Sequence, residues 1–422
     1  MKLLVLAYAI SPYRGSEYSV GWNYIMNMSK DNEIVVLYGA SGDHMGDINE
    51  VLNYVESNPI PNVTFLPITP NKLTFFFNIL NKKGIFVYSF YFAYHLWHKQ
   101  VFKVAEELVK SDNFDLIHYL NPIGYREPGY LWKLGLPYIW GPIGGTSSVS
   151  LVLMKALPIL GKIKLGFRKI INYFQLRLNL NLYKAIKNTD VLIAATTFDQ
   201  NNFKRIYNTN VLYMPENGIT QIINKKLECE RKSKVLNLIW VGSVDERKAL
   251  IILLKAFLKI KNKDKIHIHI VGDGPLKNSL EGYANKNNIN DYITWYGKLE
   301  RKKVIEVFAL SHLHIITSVG EGNPTTIWEA MSFGVPTLSL DHCGMHDTIC
   351  EKCGIKIPIK SYTQVINDIA LYIEDLCLNP DKLKKMSEGV LECSSKYTWD
   401  KRISFFNELY ELAIKNWNAK QK

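Results

Sequence analysis

The chain has 422 residues and a formal net charge of +12, which is too long for one ordinary hydrophobic core and suits two domains of roughly two hundred residues each. No apolar run approaches the roughly 20 residues of a membrane-spanning helix, and six cysteines are too few for a disulfide-built scaffold. The positive charge comes without a nucleic-acid-binding motif, so nucleic acid is not an expected partner.

Met1-Lys-Leu-Leu-Val-Leu-Ala-Tyr is a short apolar run that leads straight into a glycine loop. It reads as a first buried strand over residues 2–8 and not as a secretory leader, so a cytoplasmic protein is expected. A helix through residues 22–29 and a strand at 33–38 follow. Later strands are expected at 116–118, 137–140 and 191–194, each preceded by helical or turn sequence. From residue 236 the pattern restarts: strand 238–241, helix 250–260, strand 266–271, helix 276–285, strand 292–296 and helix 302–309. Alternation of this kind implies parallel, doubly wound sheets. The domains expected are 1–215 and 216–400, with the join in the polar segment from Pro215 to Lys234. Residues 401–422 form a terminal helix carrying Ile403, Phe406, Leu409, Tyr410 and Ala413 on one face, as expected if it returns to the first domain.

The charge is unevenly placed. Residues 57–105 and 128–189 contain no Asp or Glu. In the second stretch Leu160, Ile163, Phe167, Ile170, Phe174, Leu178 and Leu182 recur at helical spacing among Lys162, Arg168, Lys169, Arg177 and Lys184. One reading is a helix packed on its own domain with a solvated basic face. The favoured one is a face that meets anionic phospholipid and the pyrophosphate of a lipid-linked acceptor. Phe75-Phe-Phe and Phe86-Val-Tyr-Ser-Phe-Tyr-Phe-Ala-Tyr offer the aromatic residues of an interfacial surface.

The most informative segment is Ser318-Val-Gly-Glu-Gly-Asn-Pro-Thr-Thr-Ile-Trp-Glu-Ala-Met. Residues 313–317 read as a buried strand, Asn323 as an N-cap and Pro324 as the first helical position. The free amides of Thr325 and Thr326 then face the carboxyl end of the sheet, where a helix N-terminus favours phosphate. Glu329 lies about one turn into the helix and Glu321 in the loop before it. One carboxylate is thereby placed for ribose hydroxyls and the other for a sugar beyond a diphosphate. Cys350-Glu-Lys-Cys353, with Cys343, His342 and His346 nearby, invites a zinc reading, but a second CxxC pair is absent and reduced, buried thiols are expected instead. No metal site is expected.

The Glu321 and Glu329 spacing, E-x7-E, resembles the donor-binding signature of retaining glycosyltransferases with the GT-B fold, family 4 (group 1) in particular. Other pieces appear in the same order: Trp240-Val-Gly-Ser-Val-Asp-Glu-Arg-Lys-Ala, Ile270-Val-Gly-Asp-Gly-Pro, Trp295-Tyr-Gly-Lys-Leu and Tyr213-Met-Pro-Glu-Asn-Gly-Ile. Near the start, Tyr13-Arg-Gly-Ser-Glu-Tyr-Ser-Val-Gly-Trp resembles the family's first glycine loop. The resemblance implies two Rossmann-like domains with parallel sheets facing across a cleft. It implies that Lys248 contacts the donor diphosphate, that Gly15 and Ser16 approach it from the N-domain, that Gly297 to Leu299 receive the base, and that His118 lies near the donor sugar. The arginine usually found five residues before the lysine is Ser243 here; Arg247 is expected to point to solvent. Glu17, Gly144 and Gly145 receive no assigned role.

No D-x-D occurs in the chain, so stabilisation of the departing diphosphate falls to cations and amide dipoles without a metal or other cofactor. The expected activity is transfer of a hexosyl unit, with retention, from a UDP- or GDP-sugar to a hydroxyl of a lipid-linked saccharide in surface polysaccharide synthesis, at the inner face of the cell membrane. A nucleotide-sugar epimerase on the same fold and a noncatalytic membrane-bound scaffold are the alternatives. An NAD-dependent oxidoreductase is disfavoured because Gly15-Ser-Glu-Tyr-Ser-Val-Gly lacks the G-x-G-x-x-G spacing.

Overall fold

A computed structural model of the chain describes residues 1–40, 48–86, 89–147, 149–223 and 235–422. These form two compact units. The first comprises Met1–Thr146, Asn172–Glu216 and Trp399–Lys422, the second Ser147–Ile171 and Asn217–Thr398. Sequence reasoning drew one boundary after residue 215; the segment 147–171 groups instead with the second unit, because Leu153 and Leu157 are buried in that unit's core beside Leu250 and Leu253. Most of the expected linker, residues 224–234, lies outside the described residues.

Unit 1 is built on β1 (Lys2–Ala7), β2 (Glu33–Gly39), β3 (Val63–Ile68), β4 (Leu116–Asn121), β5 (Tyr138–Ile143), β6 (Val191–Ala194) and β7 (Leu212–Tyr213), ordered β3-β2-β1-β4-β5-β6-β7 and parallel throughout. Five consecutive buried residues in β1 show why the run is apolar without alternation: both faces of a parallel sheet are covered. The terminal helix Trp399–Gln421 covers one of them, burying Phe406, Leu409, Tyr410 and Ala413 against Leu3, Val5, Trp22 and Tyr24. This is the face its apolar spacing predicts.

Unit 2 contains β8 (Leu236–Val241), β9 (Ile266–Val271), β10 (Ile293–Gly297), β11 (Leu313–Ile316), β12 (Thr337–Leu340) and β13 (Gly354–Ile357), ordered β10-β9-β8-β11-β12-β13 and again parallel. In each sheet the first strand is flanked by the second on one side and the fourth on the other. That is the doubly wound order, and it reverses between β1 and β4 in unit 1 and between β8 and β11 in unit 2.

The basic, acid-free stretch behaves differently from a packed surface element. The single periodicity from 160 to 182 is interrupted at Asn179, whose side chain accepts the Leu182 amide and caps a new helix, Leu180–Asn188. In the preceding helix, Ile159–Leu178, the apolar stripe faces outward: Leu160 is 81% exposed, and Ile163, Phe167, Ile170, Phe174 and Leu178 are exposed with it. Leu182 is buried. The aromatic segment folds as helices Lys72–Lys82 and Ser89–Ser111, and it too leaves Phe75, Phe76, Tyr91 and Phe92 exposed. No helix among the described residues is long and apolar enough to cross a membrane.

Candidate active site

The reversal between β8 and β11 brings two loops together in unit 2. The loop after β8 runs through Gly242 to Leu250 and is held from the side by the loop after β9. Val244 N–H donates to Asp273 O (3.0 Å), and Leu276 N–H to Val244 O (3.0 Å). Two glycines permit this approach: a Cβ on Gly272, at φ +141°, would collide with Gly242 O, and one on Gly274 would come within 2.6 Å of Val244 O. This explains the Gly-Asp-Gly of the motif after β9 in steric terms.

The loop after β11 is fastened to the same segment. Thr317 Oγ1 donates to Lys248 O (2.9 Å) and accepts from Trp240 Nε1 (3.0 Å), while Val319 N–H donates to Arg247 O (2.8 Å). With the backbones fixed, the side chains meet. Glu321 Oε2 lies 2.5 Å from Lys248 Nζ, and its Oε1 accepts from Arg247 at 2.7 Å. Burial alone would raise the Glu321 carboxyl, but Lys248 and Arg247 more than offset it and hold the group below its ordinary value, as a carboxylate. Arg247 therefore turns into the site and not toward solvent as the sequence suggested, because a carboxylate is within reach. Ser243, in the usual arginine position, is exposed.

The helix following Glu321 spans Thr325–Ser332, with Pro324 as its N-cap. The expected start is one residue early. Asn323 does not cap it: its side chain is buried, and its Oδ1 accepts from Thr348 Oγ1 at 3.2 Å. The loop is pinned by Gly344, whose N–H donates to Gly322 O (2.9 Å) and whose missing Cβ would strike the same oxygen. The Thr325 and Thr326 amides lie in the first turn, where a helix has no internal acceptor for them. Glu329 stands at the fifth helical position, partly exposed; burial raises its carboxyl, with Arg301 acting in the opposite sense. Among the described residues nothing hydrogen-bonds its carboxylate. Gly297, at φ +66°, ends β10 with its carbonyl already accepting from Gly272 (2.8 Å), and Leu299 packs against the apolar cluster that contains Val307, Phe308 and Phe333.

His118, expected near the donor sugar, has its own set of partners inside unit 1. His118 lies on β4 but is 0% exposed. Its Nε2 bonds to Gly141 O (2.8 Å), and its Nδ1 faces the hydroxyls of Tyr410 (3.0 Å) and Tyr24 (3.1 Å), which bond each other. Burial pushes its pKa down to about 4. A neutral ring with both nitrogens engaged between a strand and the terminal helix is packed as a core group.

At the reversal in unit 1, Gly15 and Ser16 are exposed at the mouth of β1. Ser16 has φ +58°, a region unfavourable for a residue with a Cβ, and its carbonyl accepts the Ser19 and Val20 amides of the helix Glu17–Met28. Glu17 Oε1 accepts the Ile123 amide at 3.4 Å, from the loop after β4, and burial raises its carboxyl. Gly144 is packed against Asp199, which accepts from Thr146 N–H and Oγ1 (2.9 and 2.6 Å); Gly145, at φ +92°, stands next to it. Glu216 is a residue that sequence reasoning gave no role. It is buried, its Oε2 lacks a hydrogen-bond partner among the described residues, and burial pushes its pKa up to about 8. Arg402 of the terminal helix, also buried, donates to Pro215 O at 2.6 Å. Only the Pro-Glu-Asn-Gly setting of Glu216 marks it in the sequence.

Comparison with known proteins agrees with this architecture. Residues 222–390 match the family described as Glycosyl transferases group 1. An uncharacterized glycosyltransferase of Methanocaldococcus jannaschii, MJ1059, is 29% identical over 117 residues, 27% of this chain and 28% of the relative. Lipopolysaccharide 1,6-galactosyltransferase of Escherichia coli K12 is 31% identical over 140 residues, 31% of this chain and 36% of that one. The chain thus aligns with about a third of the length of these two relatives. Among solved structures, the apo lipopolysaccharide outer core galactosyltransferase WaaB superposes with a TM-score of 0.65 at 15% identity, covering 96% of this chain and 98% of that one. The matched segment contains the Lys248 and Glu321 pair and the helix after it, so residues 222–390 carry the pattern of group 1 glycosyltransferases, and the chain has the GT-B fold of the superposed structure.

Proposed function

We propose that the protein transfers a hexosyl unit, with retention of anomeric configuration, from a UDP- or GDP-sugar to a hydroxyl of a lipid-linked saccharide in surface polysaccharide synthesis. The observation that carries this reading is the convergence of Lys248, Arg247 and Glu321 at the β8/β11 reversal, directly before a helix N-terminus. Two cations and the Thr325 and Thr326 amides supply the positive potential that a departing diphosphate requires. No metal is needed for that role. Ser243 removes one customary cation, and Arg247 is the proposed replacement. Glu321, already ionised, orients sugar hydroxyls. Glu329 accepts hydrogen bonds from the ribose, and the backbone from Gly297 to Leu299 receives the base. Attack is on the front face, with the leaving diphosphate helping to take the acceptor proton.

The acceptor and location rest on the outward apolar face of the helix Ile159–Leu178, with Arg168, Lys169 and Arg177 exposed along it. Exposed apolar residues among cations suit the boundary of an anionic bilayer, which supports a peripheral position on the cytoplasmic membrane face. The lipopolysaccharide named for two of the similar proteins is an acceptor of that class. The test is incubation with a panel of UDP- and GDP-sugars, with and without a lipid-linked saccharide, reading product and anomeric configuration. A retained-configuration glycoside from one donor is expected; an isomerised donor or inversion overturns the reading.

A further inference from the structure

The CxxC segment acquires a third sulfur from elsewhere in the fold. Cys350 and Cys353 follow the helix Cys343–Thr348, and Cys393 lies in the helix Pro380–Ser394. Cys350 Sγ is 3.4 Å from Cys353 Sγ and 3.0 Å from Cys393 Sγ, and all three sulfurs lie within 4.8 Å of one another. Cys343, which sequence proximity had grouped with them, instead stands 3.2 Å from His342 Nδ1. His346 bonds to Asp341.

The approach is built by the surrounding chain. Gly389 sits one helical turn before Cys393, on the same face. A Cβ at Gly389 would collide with Lys352 O, so this glycine lets the Cys350–Cys353 turn lie directly on the helix and brings Cys393 to the two sulfurs. The turn itself is closed by the Cys353 and Gly354 amides donating to Cys350 O (both 3.1 Å). A backbone N–H also serves a sulfur: that of Cys350 donates to Cys353 Sγ at 3.2 Å.

We propose that Cys350, Cys353 and Cys393 bind one Zn2+ ion through three thiolates, with the fourth tetrahedral position open to solvent beside the exposed Cys350. Tetrahedral Zn–S bonds of about 2.3 Å separate sulfurs by about 3.8 Å, within the span of this cluster. A soft, all-sulfur donor set selects zinc over magnesium or manganese. Cys353 and Cys393 are buried in the same apolar cluster as Ile327, Trp328 and Met331 of the helix Thr325–Ser332. The ion staples the turn before β13 to the helix Pro380–Ser394 and so braces the packing behind that helix. The site takes no part in the proposed sugar transfer and stands or falls separately from it.

The test uses the full chain, reduced, stripped with a chelator and titrated with Zn2+ or Co2+. One ion per chain is expected, with a thiolate-to-cobalt charge-transfer band and tetrahedral d–d absorption, and X-ray absorption of the zinc form showing three sulfurs at about 2.3 Å. Cys353→Ser and Cys393→Ser should lose the cobalt spectrum; Cys343→Ser should retain it. The wild-type spectra decide the matter even if a serine variant folds poorly. Failure of the reduced wild type to take up either ion overturns the proposal. So does an unchanged spectrum in the variant lacking all three thiols, or a freshly purified, metal-free chain with Cys350 and Cys393 joined as a disulfide.

Discussion

Lys248 and Glu321 are 73 residues apart in the chain and form an ion pair, Nζ to Oε2 2.5 Å, with each side chain only 12% exposed. The strands that precede them, β8 and β11, are neighbours at the point where the strand order reverses. Arg247 shares the carboxylate. A diphosphate bound here would compete with Glu321 for these cations, and neutralising Glu321 should release them to the ligand.

Glu321→Gln therefore separates binding from transfer. Nucleotide affinity should be kept or improved, because both cations lose their internal partner, while turnover should fall by orders of magnitude. Equilibrium binding of UDP and GDP beside initial rates decides the point. Much weaker binding with normal turnover of the bound enzyme would exchange the proposed roles of Glu321 and Glu329.

Glu329→Ala should weaken nucleotide binding by roughly 1 to 3 kcal/mol, the range for hydrogen bonds that involve a charged group. Its carboxylate has no hydrogen-bonding partner among the described residues, so little internal packing depends on it. Unchanged affinity for free UDP and GDP in calorimetry removes Glu329 from the site.

His118→Gln should cost stability while leaving the nucleotide affinity of the folded protein intact. The loss should be about 1 to 3 kcal/mol, the penalty for disturbing a buried hydrogen-bonded group. Burial lowers the folded pKa to about 4 from 6.5 in both His118 and His98. The native state then binds fewer protons than the unfolded chain between those values. Their contribution is present above pH 6.5 and is lost as the pH falls from 6.5 through 4. Denaturant midpoints across that window should decline in the wild type and decline less in the variant. A loss of nucleotide binding by folded His118→Gln would instead make the residue part of the donor site.

Transfer should proceed without added magnesium or manganese, since Lys248, Arg247 and the helix amides supply the counter-charge. After brief chelation, rates with and without either ion should agree within about twofold, a difference well under 1 kcal/mol in barrier. A strict requirement for one of them contradicts this part of the mechanism. The thiolate cluster is no substitute, because its donors do not suit those ions.

Wild-type protein should sediment with anionic vesicles at low salt and be released as salt shortens the Debye length. Each cation near the surface contributes on the order of 1 kcal/mol. Changing Lys162, Arg168, Lys169 and Arg177 to Gln should abolish sedimentation and leave donor hydrolysis intact. Equal sedimentation by the variant, or none by the wild type, would assign the exposed stripe another partner.

Much of this arrangement is legible in the sequence because it depends on local patterning. Apolar runs such as Leu3 to Ala7 mark strands buried on both faces, and Asn-Pro-Thr-Thr marks a helix start to within one residue. The spacing of Glu321 and Glu329 carries through because both belong to one loop and helix. Contacts between distant segments are not encoded that way. Nothing local shows Arg247 turning toward Glu321, His118 buried between two tyrosines, or Cys393 meeting the CxxC turn; each depends on which strands and helices become neighbours. Periodicity also left open which way the stripe from Leu160 to Leu178 faces, since the same spacing serves a core face and a membrane face.

The central claim is that the cations at the β8/β11 reversal hold a nucleotide diphosphate. Calorimetric affinities of UDP and uridine, or GDP and guanosine, for wild type and for the Arg247→Gln, Lys248→Gln double variant test it most directly. The wild type should favour one diphosphate strongly over its nucleoside, and the double variant should lose about 1.5 to 3 kcal/mol of that preference, roughly 10- to 150-fold in affinity. A wild type that binds neither diphosphate, or a double variant that keeps the full preference, would contradict the account.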